Sequence, residues 1–578
     1  MRMAQRILVL PDDVVNRIAA GEVVERPASV VKELLENAID AGATEISILV
    51  RKGGMDEIQV LDNGTGMSRE DALTAFQRYA TSKIRASDDL ETMRTLGFRG
   101  EALPSIASVS KVRMVTREKT TLGGTEICLQ GGEVREVRET GCPKGTDVII
   151  RDLFYNTPAR RKFLRSVTTE FSHIVDTVVR IGLAYHHIHL KLFHQERNTI
   201  DVPSTEDRMV RIGTLLGNEL YRALRRCRVH MDFLSIDGYL GDPGFTYPNA
   251  KGIYVYVNGR FIRDRIIHHA LMEGYRNLIP KQRYPVAVLF LELPPWGVDV
   301  NVHPTKREVR FSAGDLVHRG IVALCSDLRE GSGGSVREGS TSDESEALAL
   351  GVRESPPSYG ALWPSADQES RMPPQGSEKA GFTDVVSSLR PVGQIGQTYV
   401  VCESPTGLML IDQHAAHERI VFERLKRAVD EGNPTFQTLL FPETIELSPL
   451  EWETAERYLS DLKRVGFDLE PFGRRTLVIK SIPSVLAGKG FDQLVHDLIR
   501  DLVAEETRSE IGEHVETMLK VTACHGAIRA GKSLSMEEMV SLLAQMESEG
   551  FIRTCPHGRP AWVEISRRDL EKMFMRSS

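Results

Sequence analysis

"SVVKELLENAIDAGAT", residues 29–44, decides how the N-terminal half is read. Val30, Leu34 and Ala38 recur every four residues, so one stripe of a helix is apolar. Beside that stripe Glu33 and Asn37 lie one turn apart on a shared face. Ser29 is the expected N-cap and Ala41-Gly42 the expected end. A carboxylate and a carboxamide one turn apart suit two tasks, a base for water and an oxygen ligand for Mg²⁺. Glu36 and Asp40 repeat the spacing on an ordinary polar surface, so the helix alone leaves both readings open.

Working outward, "IQVLDNGTGM" (58–67) is a strand that runs into an Asp-Gly turn. Asp62 ends the strand, and Gly64 and Gly66 let the backbone approach a ligand. A plain hairpin turn would read the same way. "YATSKI" (79–84) follows, and "LGFRGEALPSI" (96–106) sets two glycines just ahead of a helix start. Free N–H groups at such a start suit phosphate. Neither a GxxxxGK[ST] loop nor a GxGxxG turn after a strand is present, so the two commonest phosphate cradles are excluded.

The 578 residues are too many for one core and predict three or four domains. A hydrophobic share of 41% and a charged share of 26% are those of a soluble globular protein. The sequence has no run of 18 uncharged apolar residues and no signal-like start, which predicts no membrane span and no export. Seven scattered cysteines argue against a disulfide framework and for the cytoplasm. A formal net charge of −7 excludes a globally basic nucleic-acid binder but not local basic patches. Such patches occur at "PARRKFLR" (158–165), "RRCR" (225–228) and "NGRFIRDR" (258–265), and Arg260, Arg263 and Arg265 are the candidate contacts to nucleic-acid phosphates. Residues 327–386 are rich in Gly, Ser, Pro and Glu and predict a disordered linker.

A second chemical cluster follows the linker. "DQHAAHERIVFE" (412–423) begins with Asp412, which can cap the helix after the strand "LMLI". His414, His417 and Glu418 then share one side, while Glu423 points roughly 140° from Glu418. "TACHGAIRAG" (522–531) adds Cys524, and "RTCPHGRPAW" (553–562) adds Cys555 and His557. Imidazole, thiolate and carboxylate together suit Zn, Mn or Fe. A buried cysteine and a polar turn histidine are the competing reading. Between these stretches, "SPLEWETAERYLSDLKRVGF" (448–467) is a helix capped by Ser448 and stopped at Gly466, and "RTLVIKSIPSVL" (475–486) is a strand.

Taken in order, ExxxN, DxGxG, TSK and GFRGEAL resemble the ATPase family of gyrase, Hsp90-type chaperones, histidine kinases and MutL, abbreviated GHKL. "IAAGEVVERPASVVKELLENAIDAGAT" (18–44), "GTDVIIRDLFYNTPARRKFL" (145–164), "VYVNGRFIRDR" (255–265) and "VDVNVHPTKREVRF" (298–311) are similar to its MutL branch, proteins of DNA mismatch repair. The resemblance implies ATP and Mg²⁺, with Glu33 as general base, Asn37 on Mg²⁺, and Asp62 on the adenine amino group beside Gly66 and Thr146. Thr81, Ser82, Lys83, Gly97, Arg99, Gly100, Glu101, Ala102 and Leu103 would line the nucleotide, and Lys306 would reach the terminal phosphate.

It also implies a multidomain α/β (α+β) fold. A GHKL ATPase domain with a mixed sheet and helices on one side would span 1–216. A ribosomal-protein-S5-like domain (217–326) and the linker would follow. The last part (387–578) would be an α+β dimerisation and endonuclease domain, with a subdomain inserted at about 443–518. The C-terminal motifs resemble those of endonuclease-type members, which implies Mn²⁺ or Zn²⁺ on Asp412, His414, Glu418, Cys524, Cys555 and His557, with Glu418 and Asp412 catalytic. "QTLLFP" (437–442) resembles a sliding-clamp peptide carried by Gln437, Leu440 and Phe441. The implied partners are double-stranded DNA, MutS, the clamp and a second copy of the chain, at the nucleoid. The alternative is an ATP-driven adaptor that cuts nothing and whose cluster holds only structural Zn. A topoisomerase or chaperone sharing the ATPase fits poorly, because neither uses the C-terminal motifs.

Overall fold

The computed structural model describes residues 24–83, 96–97, 100–247, 249–280, 283–299, 309–326, 328, 389–486, 492–505, 513–527, 532–550 and 553–574. Arg99, Lys306 and, but for Leu328, the expected linker lie outside them.

Helix α1 (Pro27–Asp40) starts earlier than the expected Ser29 cap. Pro27 takes the first helical turn, where its missing N–H costs nothing and its fixed φ is already helical. The helix ends at Ala41, and Gly42 follows at φ +71°. Eight strands then build one sheet: β1 (Glu45–Arg51), β2 (Glu57–Asp62), β3 (Lys111–Arg117), β4 (Gly124–Gln130), β5 (Glu133–Thr140), β6 (Gly145–Arg151), β7 (His189–His194) and β8 (Arg197–Val202). Their order is β5-β4-β3-β6-β2-β1-β7-β8. Only β1 and β7 pair in parallel, so the sheet is mixed, as expected.

Short helices α2 (Arg69–Thr74), α3 (Ala102–Ser108) and α4 (Pro158–Phe163) are followed by the long α5 (Val167–Ala184). Ile46, Ile48 and Val50 alternate along β1 and share a core with Val30, Leu34 and Leu35 of α1 and Ile174 and Val178 of α5. The other face of β1 is only partly covered, so the helices lie on one side.

Helices α6 (Arg208–Leu216) and α7 (Asn218–Ala223) lead into a second sheet of β9 (Leu224–Met231), β10 (Leu234–Gly241), β11 (Ile253–Val257), β12 (Arg260–Ile262) and β13 (Ala287–Glu292), in the order β12-β11-β13-β10-β9. Helices α8 (Arg265–Gly274) and α9 (Gly314–Ser326) close a separate core over it, with Ile267, Leu271, Val317 and Ile321 against Leu234, Ile236 and Leu289.

The C-terminal part runs β14 (Arg390–Ile395), β15 (Tyr399–Ser404), β16 (Gly407–Asp412), α10 (Gln413–Asp430), β17 (Phe436–Glu446), α11 (Pro449–Val465), β18 (Asp468–Pro471), β19 (Thr476–Pro483), α12 (Asp492–Glu505), α13 (Glu513–Gly526), α14 (Met536–Ser548), β20 (Trp562–Ser566) and α15 (Arg567–Met573). Strands order as β14-β15-β16-β20 and as β17-β19-β18. Ser448 caps α11 in a reciprocal pair with Glu451, and Gly466 ends it in the left-handed region at φ +105°, as the sequence predicts.

The chain forms two compact units, one of 1–337 with 426–525 and one of 338–425 with 526–578. Within the first, Arg500 of α12 is buried and donates to Glu219 Oε2 of α7 at 2.8 Å and to Glu451 Oε1 of α11 at 3.2 Å. Burial works against the charge on Glu451, but the neighbouring His496 and the Arg500 charge hold its carboxyl down at about 2.

One other buried cation organises the N-terminal half. Arg211 of α6 is 1% exposed, and its Nη2 donates to three carbonyls, His186 O and Ile188 O at 2.7 Å and Pro203 O at 2.8 Å. These belong to the chain on either side of β7 and β8. Arg211→Met keeps the length and leaves the three carbonyls without that donor, at about 1–3 kcal/mol each. The expected loss is about 3 kcal/mol or more, read as an earlier N-terminal transition in urea melts. An unchanged midpoint would contradict this role.

Candidate functional site

Three strands set one wall of the candidate nucleotide site. Asp62 at the end of β2 is register partner of Thr146 on β6, and Thr146 is partner of Thr116 on β3. The row is knit by side chains: Thr146 Oγ1 and Thr116 Oγ1 lie 3.0 Å apart, and Thr116 Oγ1 accepts from Met67 N at 3.0 Å. Asp62 Oδ1 accepts from Gly64 N at 2.8 Å. Burial pushes the Asp62 carboxyl up to about 6, against the lowering pull of the Gly64 and Thr146 backbone N–H groups. Gly66 is required here. Its φ is +71°, and a Cβ would stand 2.0 Å from Arg117 O.

Helix α1 sets the opposite wall. Lys32 pairs with Glu33 and with Glu36, each at 3.1 Å. Burial opposes the Lys32 charge, yet the two carboxylates outweigh it and raise its pKa. Asn37 Oδ1 accepts from Lys83 Nζ at 3.2 Å, and Asp40 Oδ2 accepts from the same ammonium at 2.6 Å. Asp40 also accepts from Leu96 N at 3.0 Å and Gly97 N at 3.1 Å. The turn before Lys83 closes on itself, Lys83 N donating to Thr81 Oγ1 at 3.2 Å, with Ser82 between them. Gly100, at φ +62°, comes so close to residue 80 that a Cβ would meet Ala80 O at 2.5 Å. Glu101 precedes α3, which begins with Ala102 and Leu103. Asn37, Lys83 and Gly97 therefore come together, with Glu33 one turn before Asn37 on α1, as do Asp62, Gly66 and Thr146. Asn37 offers a carboxamide oxygen of the kind Mg²⁺ takes.

Sequence reasoning missed two residues. Asp40 continues the Glu33–Asn37 stripe by three residues, a signal that was readable. Thr116 enters only through strand register, for which a single strand carries no signal.

The C-terminal cluster is built by one helix start and one turn. Asp412 Oδ1 accepts from His414 N at 2.9 Å and Ala415 N at 3.0 Å, so it caps α10 as expected. Buried Gln413 donates to Gln397 O and Lys532 O and fixes the start of the helix. One turn on, Glu418 is 4% exposed. Cys555 and His557 sit on a turn held by Cys555 N to Arg559 O at 2.8 Å and Gly558 N to Cys555 O at 2.9 Å. His557 Nδ1 lies 2.7 Å from Glu418 Oε1, and one ligand atom each of Glu418, Cys555 and His557 lie within 4.8 Å of one another. Burial raises the Glu418 pKa, but the hydrogen bond and charge of His557, with the charge of His414, bring it below the usual range. Hydrogen bonds with Cys555 and then with Glu418 push His557 up to about 9. Cys524 is exposed on α13 in the first compact unit, and Glu423 pairs with Arg419 at 2.5 Å.

Of the arginines expected on DNA, Arg263 and Arg265 are exposed. Arg260 is not. It is 9% exposed, and burial lowers its pKa against the charges of Glu36, Tyr185 and Asp40. A DNA phosphate does not reach a guanidinium enclosed in this way, so that expectation is corrected. Leu440 and Phe441 are 88% and 79% exposed, because the register of β17 shifts between Thr438 and Glu443 and frees the residues between.

Residues 25–133 match the family described as histidine kinase-, DNA gyrase B-, and HSP90-like ATPase. Residues 212–328 match the DNA mismatch repair protein C-terminal domain, and 392–534 the MutL C-terminal dimerisation domain. The MutL protein of Geobacter sulfurreducens is 41% identical over 99% of this chain and 100% of that protein. The chain belongs to the MutL family of DNA mismatch repair proteins. The MutL of Pelobacter propionicus is 39% identical with both chains fully covered. A solved structure of the Aquifex aeolicus MutL ATPase domain complexed with ADP is 27% identical, with TM-score 0.37, covering 52% of this chain and 98% of that one. This member of the MutL family thus has an ATP-binding ATPase domain and a C-terminal dimerisation domain. No helix among the described residues is long and apolar enough to cross a membrane.

Asp62 gives a pH test of the nucleotide site. Burial raises its carboxyl to about 6, and the protonated form is a weaker acceptor than the carboxylate. ATP affinity is therefore expected to fall by up to about tenfold per pH unit below about pH 6. Asp62→Asn should bind more weakly at pH 7.5 and lose this component of the profile in titration calorimetry. Matching profiles for the two proteins would contradict the assignment.

Proposed function

We propose that this chain is an ATP-gated homodimer that links mismatch recognition by MutS to later repair, and that it carries its own metal-dependent endonuclease. The observation that carries the reading is the convergence of Glu418, Cys555 and His557. A buried carboxylate, a buried thiol and an imidazole facing one point suit Zn²⁺ or Mn²⁺ better than they suit a dry core.

In the ATPase half, Glu33 takes a proton from the attacking water, and Asn37 supplies an oxygen to Mg²⁺. Asp62 accepts from the adenine amino group, with Thr146 beside it. Lys83 faces the same space and is held there by Asp40. Arg99 and Lys306 act at the phosphates in this reading. In the C-terminal half, Glu418, Cys555 and His557 would hold the cation, with Asp412 and His414 at the same helix start. Held by these residues, a cation would supply Lewis-acid chemistry to a phosphodiester and a water. Asp412 keeps the helix start fixed, and Glu418 keeps its charge inside the protein. Arg263 and Arg265 contact DNA phosphates without sequence preference. Support for the clamp contact comes from Leu440 and Phe441, two large apolar side chains held out in solvent beside exposed Gln437.

The test is nicking of supercoiled plasmid with Mn²⁺ by wild type, Asp412→Asn and Glu418→Lys, with folding checked by circular dichroism. Loss of a metal contact worth several kcal/mol predicts a fall of about a hundredfold or more in Glu418→Lys, and a comparable fall in Asp412→Asn, which keeps the cap, would show that the Asp412 charge acts at the cation as well. A folded, ATP-hydrolysing wild type that nicks nothing, even with a loaded clamp, would favour an adaptor whose cluster is a structural Zn site. Equal nicking by all three would remove the cluster from the reaction.

A further inference from the structure

We propose a second metal site, on the outer face of the second domain, made by His269 and Glu273 of α8 and His318 of α9. Their ligand atoms face one point. His269 Nδ1 lies 3.2 Å from His318 Nε2, His318 Nε2 lies 3.4 Å from Glu273 Oε2, and His269 Nδ1 lies 3.9 Å from that oxygen. Three ligands on one face of a tetrahedral Zn²⁺, each at about 2.0–2.2 Å from the ion, stand roughly 3.3 Å apart. The observed triangle is close to that before any movement.

Protons alone serve this triangle poorly. A proton on His318 Nε2 is directed at one neighbour at a time, either the other imidazole or the carboxylate. A divalent cation at the centre engages all three donors at once. Two imidazoles and one carboxylate make a borderline donor set that favours Zn²⁺ over Mg²⁺ or Ca²⁺, which take oxygen.

The fold presents the ligands together. His269 and Glu273 are one turn apart on α8, so they share a face. The two helices meet with almost no gap at Gly274, where a Cβ would stand 2.5 Å from Cys325 Cβ, and this fixes α9 against α8. Asp264 caps α8 through Ile266 N at 2.8 Å and Ile267 N at 3.1 Å, which holds its first turn. The ligands are partly or fully exposed, His269 most of all, so an ion enters directly from solvent and the fourth position is open to water. The ion would tie α8 to α9 across the outer layer of the domain. No thiolate takes part, which separates this site chemically from the one at Cys555.

The experiment uses the full chain, stripped with a chelator and free of nucleotide. Zn²⁺ binding by equilibrium dialysis is compared for wild type, His318→Ala and His269→Ala. Each variant is expected to lose about one equivalent of Zn²⁺. With Co²⁺ as the probe, the same variants should lose part of the d–d absorption while keeping the thiolate-to-cobalt band, and Cys555→Ser should lose that band and keep the part the His variants lose. Zn²⁺ should also raise the melting temperature of the N-terminal transition in wild type and not in His318→Ala. Melting in chelator alone shows whether the variants fold, and Glu273→Gln, a smaller change, should weaken binding at least about tenfold. Equal Zn²⁺ stoichiometry and equal cobalt spectra in wild type and a folded His318→Ala would overturn the proposal.

Discussion

The side chain of Asp40 accepts three hydrogen bonds from two segments outside regular structure, one from the Lys83 ammonium and two from Leu96 N and Gly97 N. It is a nearly buried carboxylate, 8% exposed at the side chain, so it needs those donors as much as they need it. The consequence reaches both sides of the site. Lys83 is held where it also meets Asn37, and the glycine segment that precedes α3 is tied to the end of α1. Helix α1 can serve as this anchor because its apolar stripe is fixed in the core over β1 and α5. The candidate nucleotide site is thus one helix face, one row of strand ends and a set of loops made fast between them.

The parts of this that were legible in the sequence are the local ones. The spacing of Val30, Leu34 and Ala38 gave the helix, Ser448 and Gly466 marked the bounds of α11, and Asp412 marked the start of α10. Each depends on residues within a turn or two of one another. What could not be read depends on neighbours distant in sequence. Thr116 reaches Thr146 through sheet register. Arg260 looks like its neighbours in a basic run, but burial beside the charges of Glu36 and Asp40 separates it from exposed Arg263 and Arg265. Pro27 displaced the expected Ser29 cap because a proline at the first turn competes with a cap a few residues later. The C-terminal ligands were legible as residue types, yet only the fold brings the Cys555–His557 turn onto Glu418.

The two sites differ in chemistry in a way that suits separate work. In the proposed function the nucleotide site combines an acceptor for a base, a carboxylate for water and an ammonium for phosphate. The C-terminal cluster combines donors for a softer cation. They lie in different compact units, Asp62 and Glu33 in the first and Glu418, Cys555 and His557 in the second. In the proposed function ATP changes when cutting happens, and the second unit does the cutting.

The most direct measurement of that division is the nicking rate of Glu33→Ala in Mn²⁺ without nucleotide, taken alongside its ATP turnover. The expected result is lost ATP hydrolysis with nicking at the wild-type rate. A folded Glu33→Ala protein that no longer nicks under these conditions would contradict it, because a base confined to the nucleotide site would then be required for strand scission.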